Sequence, residues 1–354
     1  MNTSDMYKKE LDVILEQDSI NWQKLKNRNV LITGATGLIG LNLVNLLCYA
    51  SKKKSLNCSV TAQIRSEEKA QKLFNLPFID YSQVHYICSD IIALNVCDNV
   101  DYIVHAAAMT SSRDFVERPV EIICTNVNGT NKVLEIAREN VIKGMVYLST
   151  MEVYGHPQSD DEIFENTVSN LDSMEIRSSY PESKRMCENL CLAYDKEYDV
   201  PVSIARLTQT FGYGVRYNDQ RVFAEFARCA IEKKDIVLHT MGDTKRNYLY
   251  VSDAISAILH ILLSGERGQA YNVANKDTYC SIYEMAQLVA EKCAGNSIKV
   301  DRQLEDVSKF GYASVLKMNL NTDKLEKLGW KPRYSLDIMF ERLIDYTSES
   351  SRIM

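Results

Sequence analysis

Val30-Leu31-Ile32-Thr33-Gly34-Ala35-Thr36-Gly37-Leu38-Ile39-Gly40 is the stretch on which the fold turns. A short apolar run comes first, then glycines at 34, 37 and 40, then an apolar pattern of helical period from Leu38 to Tyr49. A chain that passes directly from strand to helix points the free N–H groups of the helix at the turn, where a phosphate is stabilised. The first glycine permits the tight turn, the second lets backbone approach a pyrophosphate, and the third lets helix lie close on strand. Gly34, Thr36, Gly37, Leu38, Ile39 and Gly40 therefore read as a dinucleotide-binding loop. The bland alternative is an ordinary strand–helix turn, and the strand and helix on either side weigh against it.

Outward from this loop, strand-like runs lie at Ser59–Ile64, Val84–Cys88, Tyr102–Ala107, Met145–Ser149 and Val202–Leu207. Helix-like stretches at Glu67–Phe74, Pro119–Glu139 and Glu182–Tyr198 separate most of them. Short apolar strands alternating with helices predict a parallel sheet covered on both faces, an α/β fold of the Rossmann, doubly wound type. Residues 29–210 form the expected dinucleotide-binding domain, with later strands contributed from about 236–265. After Phe211 the rhythm breaks, and 211–346 reads as a smaller C-terminal α/β substrate lobe followed by a tail at 347–354. Before the loop, Leu11, Ile14, Leu15 and Ile20 predict a leading helix within a helical extension at 1–28.

The second strand ends in Gln63-Ile64-Arg65-Ser66, with no carboxylate before Glu67. An acidic residue there selects NAD by bonding the ribose hydroxyls. Arg65 and Ser66 instead suit a 2′-phosphate, although a solvated arginine at a helix start reads equally well. The cofactor is NAD or NADP, undecided at this level. Asp90 stands where it reaches an adenine amino group, and small residues at Ala106 and Ala107 let a cofactor pass close.

Tyr180-Pro181-Glu182-Ser183-Lys184 puts a phenol and an amine one turn apart on a helix. A free phenol titrates near 10 and is no base at neutral pH. A neighbouring ammonium, together with the positive nicotinamide ring, stabilises the phenolate and lowers that value. Thr150, ending a strand, supplies a hydroxyl for the substrate oxygen that Tyr180 deprotonates. Arg221 and Arg246 are the candidates for a diphosphate, because a guanidinium fork matches phosphate geometry; surface salt bridges are the alternative.

These landmarks, with Thr125-Asn126-Val127-Asn128-Gly129-Thr130, Ser149-Thr150-Met151-Glu152-Val153-Tyr154-Gly155 and Arg246-Asn247-Tyr248, extend along most of the chain from Asn29 to about Tyr346. The chain resembles the extended short-chain dehydrogenases of the NAD-dependent epimerase/dehydratase family, and from Arg177 to Asp253 most of all UDP-glucuronate decarboxylases. The resemblance implies a nucleotide-diphosphate sugar as substrate, oxidised to a transient ketone with internal hydride return. It implies catalytic roles for Thr150, Glu152, Tyr180 and Lys184, cofactor contacts from Ile91 and Asn126, and substrate contacts from Gln209 and Lys317. It also implies a homodimer built on Pro119–Glu139 and the helix carrying Tyr180, with the stripe Val133, Ile136, Ala137 either in that contact or in the core.

Three positions depart from the pattern. Met151 stands where 4,6-dehydratases carry an acid and cannot donate a proton. Lys317 replaces the arginine with which decarboxylases grip a carboxylate, keeping charge but losing the fork. Gln209 replaces an asparagine. Glu152 reads either as the group for a second chemical step or as a carboxylate at a helix start. The main expectation is an epimerase or decarboxylase acting on a nucleotide sugar. The alternatives are an NADPH-dependent reductase of a keto-sugar nucleotide or polyol precursor and a non-catalytic dinucleotide sensor.

Composition bounds the rest. A formal charge of −6 disfavours nucleic acid as a partner. No apolar run suits a membrane span or a signal peptide, and ten scattered cysteines suit a reducing, cytoplasmic setting. His85, His105, His156, His239 and His260 show no metal spacing, so no metal is expected, and His156 is assigned a structural role.

Overall fold

The computed structural model describes residues 3–95, 98–305 and 315–353. Cys97 and Met354 lie outside them. Seven parallel strands form the main sheet, ordered from one edge as Ala270–Val273, Val202–Leu207, Gly144–Thr150, Tyr102–His105, Asn29–Thr33, Ser59–Ile64 and Val84–Cys88. The expected doubly wound fold is thus present, and the strand order reverses between Asn29–Thr33 and Tyr102–His105. Ligands of such sheets bind beyond the carboxyl ends of the strands at that reversal.

Each face of the sheet is covered by a helix pair because its strands are apolar on both sides. Leu38–Lys53 and Val251–Ser264 pack together on one face. Pro119–Glu139 and Ser179–Tyr198 pack together on the other. Val133, Ile136 and Ala137 are buried there against Cys187 and Cys191, so that stripe belongs to the core of the chain. Outside this core, Val120 and Ile123 on one helix and Met186 and Leu192 on its partner remain exposed.

Two sequence expectations shift. The seventh strand is Ala270–Val273, whereas Ile236–Leu238 pairs with Val300–Arg302 in a separate two-stranded sheet. The chain reaches the sheet edge only after the helix Val251–Ser264 has crossed its face. The leading helix ends at Leu15, and a turn follows before the 3-10 segment Trp22–Leu25. A bond of 2.8 Å between Ser19 and His260 and the burial of Ile20 hold that turn.

The smaller lobe is a five-stranded sheet of Asn275–Ser281, Lys245–Tyr250, Lys317–Leu320, Glu162–Ile163 and Gln209–Phe211. It is tied to the main body at Asp253, whose carboxylate accepts the N–H groups of Arg333 at 3.0 Å and Tyr334 at 3.3 Å. Burial raises that carboxyl to about 7 against the pull of those N–H groups.

Candidate active site

The glycine loop is shaped by close approach. Gly34 has φ 65°, and a Cβ on it would stand 2.8 Å from the Ala107 Cα. A Cβ on Gly40 would stand 2.4 Å from the Gly34 carbonyl oxygen, so the helix can lie on the strand only without one. Gly37 begins the helix Leu38–Lys53 with no side-chain cap, which leaves that helix start available to an anion. The loop therefore fits a dinucleotide pyrophosphate held by Gly37, Leu38 and Ile39.

Across the sheet reversal, Thr33 Oγ1 accepts the N–H groups of Ala106 and Ala107 at 3.1 Å each and bonds His105 Nδ1 at 2.7 Å. His105 Nε2 bonds Thr130 Oγ1 at 3.1 Å. Burial, aided by Lys184, pushes the imidazole down to about 3, so a neutral ring joins the two strands at the reversal of strand order. Periodicity gave no sign of this role for His105.

The end of the second strand is occupied by Gln63. Its Oε1 accepts the Gly34 N–H at 2.8 Å, and its amide donates to the Ser89 carbonyl at 2.6 Å. Beyond it Lys69 donates to the Thr36 carbonyl of the glycine loop at 3.0 Å. Burial lowers the Lys69 ammonium, and the charges of Arg216 and Arg65 lower it further. Lys69 thus sets a cation on the loop, with Arg65 and Arg216 near enough to act on its charge. Asp90 accepts the Ile92 N–H at 3.1 Å, and Ile91 packs on Gly129, where a Cβ would meet it at 2.9 Å. Asn126 donates to Ser183 at 2.9 Å.

Thr150, Tyr180 and Lys184 converge at the carboxyl end of Gly144–Thr150. The Thr150 hydroxyl accepts the Glu152 N–H at 3.2 Å and lies near enough to Tyr180 to oppose the rise of its phenol. Tyr180 is buried, and its ring lies flat on Phe115. Lys184 donates to the Leu148 carbonyl at 2.8 Å and sits 4.7 Å over the Tyr147 ring. Burial pushes its ammonium down to about 8.

The Tyr180 phenol is raised, first by burial and then by the Glu152 carboxylate, while only the Thr150 hydrogen bond opposes the shift. Lys184 stands 6.0 Å from the centre of the Tyr180 ring, held there by the Leu148 carbonyl and the Tyr147 face.

Behind these groups, Glu188 accepts from Ser149 at 2.5 Å and takes Arg206 in a fork, at 3.0 and 2.6 Å. Arg206 also donates to Tyr154 at 2.9 Å. This ion pair clamps the strand end, the following turn and the Tyr180 helix together. It was not singled out in the sequence, where Glu188 and Arg206 carry no motif.

A cleft opens beside this group, lined in part by Met151, Glu152, His156, Arg177 and Arg246. Arg246 Nε and Arg177 Nη1 are buried without a hydrogen-bond partner. His156, assigned a structural role above, faces the cleft. Met151 accepts from Thr208 through its sulfur at 3.3 Å. Gln209, Arg221 and Lys317 are not among the lining residues. Arg221 forks Asp219 at 3.0 and 2.6 Å. Lys317 lies between Leu316 and Met318, which do line the cleft, so alternation turns its side chain away, to Asp160 at 2.6 Å.

Among the described residues no cluster of three or more His, Cys, Asp or Glu is arranged to hold a metal, and no helix is long and apolar enough to cross a membrane.

The family model described as NAD dependent epimerase/dehydratase family matches residues 30–274. UDP-glucuronic acid decarboxylase 1 of Danio rerio is 27% identical over 327 residues, covering 91% of this chain and 73% of that protein. Among solved structures, UDP-N-acetylglucosamine 4-epimerase from Methanobrevibacter ruminantium superposes with a TM-score of 0.78 at 19% identity, covering 92% of this chain and 99% of the other. A tyrosine-to-phenylalanine mutant of UDP-glucuronic acid 4-epimerase from Bacillus cereus, in complex with NAD and a fluorinated UDP-glucuronic acid, does so with 0.76 at 22%, covering 91% and 99%. At these identities the structural likeness carries the fold.

Proposed function

The chain belongs to the NAD-dependent epimerase/dehydratase family, and on that premise we propose that it modifies a nucleotide-diphosphate sugar by oxidising a ring hydroxyl to a transient ketone and reducing it again. The observation that carries this reading is the convergence of Thr150, Tyr180 and Lys184 at the carboxyl end of Gly144–Thr150, with Glu152 lining the cleft next to them. When bound, the nicotinamide dinucleotide supplies hydride exchange. The chain's own residues hold and move the proton.

With its phenolate stabilised by the nearby Lys184 ammonium and, once cofactor is bound, by the positive nicotinamide ring, Tyr180 takes the proton of the sugar hydroxyl, and the neighbouring Thr150 hydroxyl orients that oxygen. Glu152, close enough to raise the Tyr180 phenol, is the group for a second step at the neighbouring carbon. This supports an epimerase or decarboxylase over simple dehydration, since Met151 has no proton to give. Arg246, with a buried N–H lacking a partner, is assigned to the diphosphate. Arg221, held by Asp219, is assigned a lesser part. The exposed apolar residues Val120, Ile123, Met186 and Leu192 support a homodimer through these two helices.

A second reading is an NADPH-dependent reductase. The gathering of Arg65, Lys69 and Arg216 favours it, because three cations suit a 2′-phosphate.

Mass spectrometry of UDP-, dTDP-, GDP- and CDP-sugars incubated with purified protein tests both readings. Turnover without consumption of added cofactor supports internal return of hydride. Stoichiometric use of NADPH with a keto-sugar supports the reductase. Retention of all activity by Tyr180→Phe overturns both.

A further inference from the structure

We infer that Tyr7, on the leading helix, positions the pyrophosphate-binding backbone of the glycine loop through an oriented row of hydrogen bonds; this rests on the dinucleotide-binding part of the reading above. The Tyr81 hydroxyl donates to Asn45 Oδ1 at 2.9 Å, and Asn45 Nδ2 donates to the Tyr7 hydroxyl at 3.2 Å. Tyr7 in turn donates to Asn42 Oδ1 at 2.8 Å, and Asn42 Nδ2 donates to the Leu38 carbonyl at 2.8 Å. Every donor in the row points the same way, towards the start of the helix Leu38–Lys53.

The last step reaches the phosphate site through covalent geometry. The Leu38 carbonyl and the Ile39 N–H belong to one planar peptide unit and point in opposite directions. A hydrogen bond that fixes the carbonyl therefore fixes the direction in which the Ile39 N–H leaves the helix start. That N–H is one of those that suit the pyrophosphate, and Gly37 offers no side-chain cap to fix it from the other end. Hydrogen bonds joined head to tail polarise one another, so the row also makes this N–H a stronger donor to an anion.

Packing holds the row in place. Tyr7, Asn42 and Asn45 are completely buried. The Tyr7 ring lies flat on Tyr213, with centroids 3.7 Å apart, and Asn42 Nδ2 also donates to the Tyr213 carbonyl at 2.9 Å. Buried asparagine side chains on a helix are costly unless their polar atoms are met. Tyr7 meets both, and it comes from the helix Thr3–Leu15, ahead of the residues that the family model matches.

Fluorescence titration with NADH and NADPH, alongside thermal unfolding, tests this on the wild-type protein and on Tyr7→Phe, Tyr81→Phe and Tyr346→Phe. Tyr7→Phe keeps the stacked ring and removes only the hydroxyl. It is expected to weaken dinucleotide binding by about 3–10-fold, up to the worth of one hydrogen bond. The factor is the same for both dinucleotides, because they share the pyrophosphate. Tyr81→Phe, at the far end of the row, weakens binding by a smaller factor. Tyr346→Phe removes a hydroxyl that donates at 2.9 Å to Glu10, on the same leading helix, and that forms no step of the row. It lowers the unfolding temperature and leaves dinucleotide affinity unchanged.

Wild-type dinucleotide affinity in Tyr7→Phe overturns the inference while leaving the dinucleotide reading in place. So does an equal loss in Tyr7→Phe and Tyr346→Phe, which would make the leading helix a packing element alone. Should Tyr7→Phe fail to fold, wild-type affinity in Tyr81→Phe overturns it in the same way. Failure of the wild-type protein to bind either dinucleotide removes the dinucleotide reading, and this inference with it.

Discussion

The rings of Phe115 and Tyr180 lie face to face, with centroids 4.2 Å apart and planes 6° from parallel. Phe115 is buried in the short helix Asp114–Glu117, far from Tyr180 in sequence, and the Ser179 hydroxyl donates to its carbonyl at 3.0 Å. Stacking of this kind contributes about 0.5–1.5 kcal/mol beyond burial, and it sets the plane in which the Tyr180 hydroxyl points. Phe115→Leu keeps most of the volume but frees the ring. Turnover is expected to fall by roughly 10–100-fold with little change in substrate KM, because a misplacement of about 1 Å costs that much. Steady-state kinetics on this variant check it, and an unchanged kcat would remove the positioning role.

The cations around the glycine loop make a second expectation. Arg65→Asp places a carboxylate near the end of the second strand and removes one of three positive charges. NADP affinity should drop by about 10-fold or more, and NAD affinity should rise, since a carboxylate bonds ribose hydroxyls and repels a 2′-phosphate. Fluorescence titration with each dinucleotide reads this directly. A parent protein that binds NAD far better than NADP would contradict the reading of Arg65, Lys69 and Arg216.

Glu188 and Arg206 are both largely buried, with side-chain exposures of 9% and 15%. Removing one partner leaves the other charge uncompensated at a cost of about 3–5 kcal/mol. Glu188→Ala is expected to lower stability by that amount in denaturant unfolding. It also releases the Ser149 hydroxyl, so residual activity should be reduced even where the protein stays folded. A stability change under about 1 kcal/mol would show that the pair clamps nothing.

Asp253 makes stability depend on pH. Its folded value of about 7 exceeds the ordinary carboxylate value, so the folded protein keeps a proton that the unfolded chain has already lost. Below about pH 4 its contribution is fully present, and it is lost as pH rises towards 7. Asp253→Asn should flatten that slope. Thermal unfolding at pH 5 and pH 7.5 compares the two proteins, and parallel changes in both would assign the slope to other groups.

Much of this was legible in the chain itself. The strands Ser59–Ile64 and Val84–Cys88 and the helix Pro119–Glu139 have the bounds that their residue patterns predict. The glycine loop lies at the reversal of strand order, and Thr150, Tyr180 and Lys184 come together. These features rest on local period and fixed short spacing, which a strand or helix converts into geometry whatever surrounds it.

Tertiary structure decided what depends on which way a side chain turns and on what it meets. Lys317 has the charge of a carboxylate grip, but strand alternation turns it to Asp160, away from the cleft. Lys184 has the spacing to lie near Tyr180, and the fold fixes it there through the carbonyl of Leu148. The Arg206–Glu188 fork, the Phe115–Tyr180 stack and the His105 bridge join residues from separate elements. No window of sequence contains such pairs, because burial strengthens a polar or stacked contact only after the chain has packed around both partners.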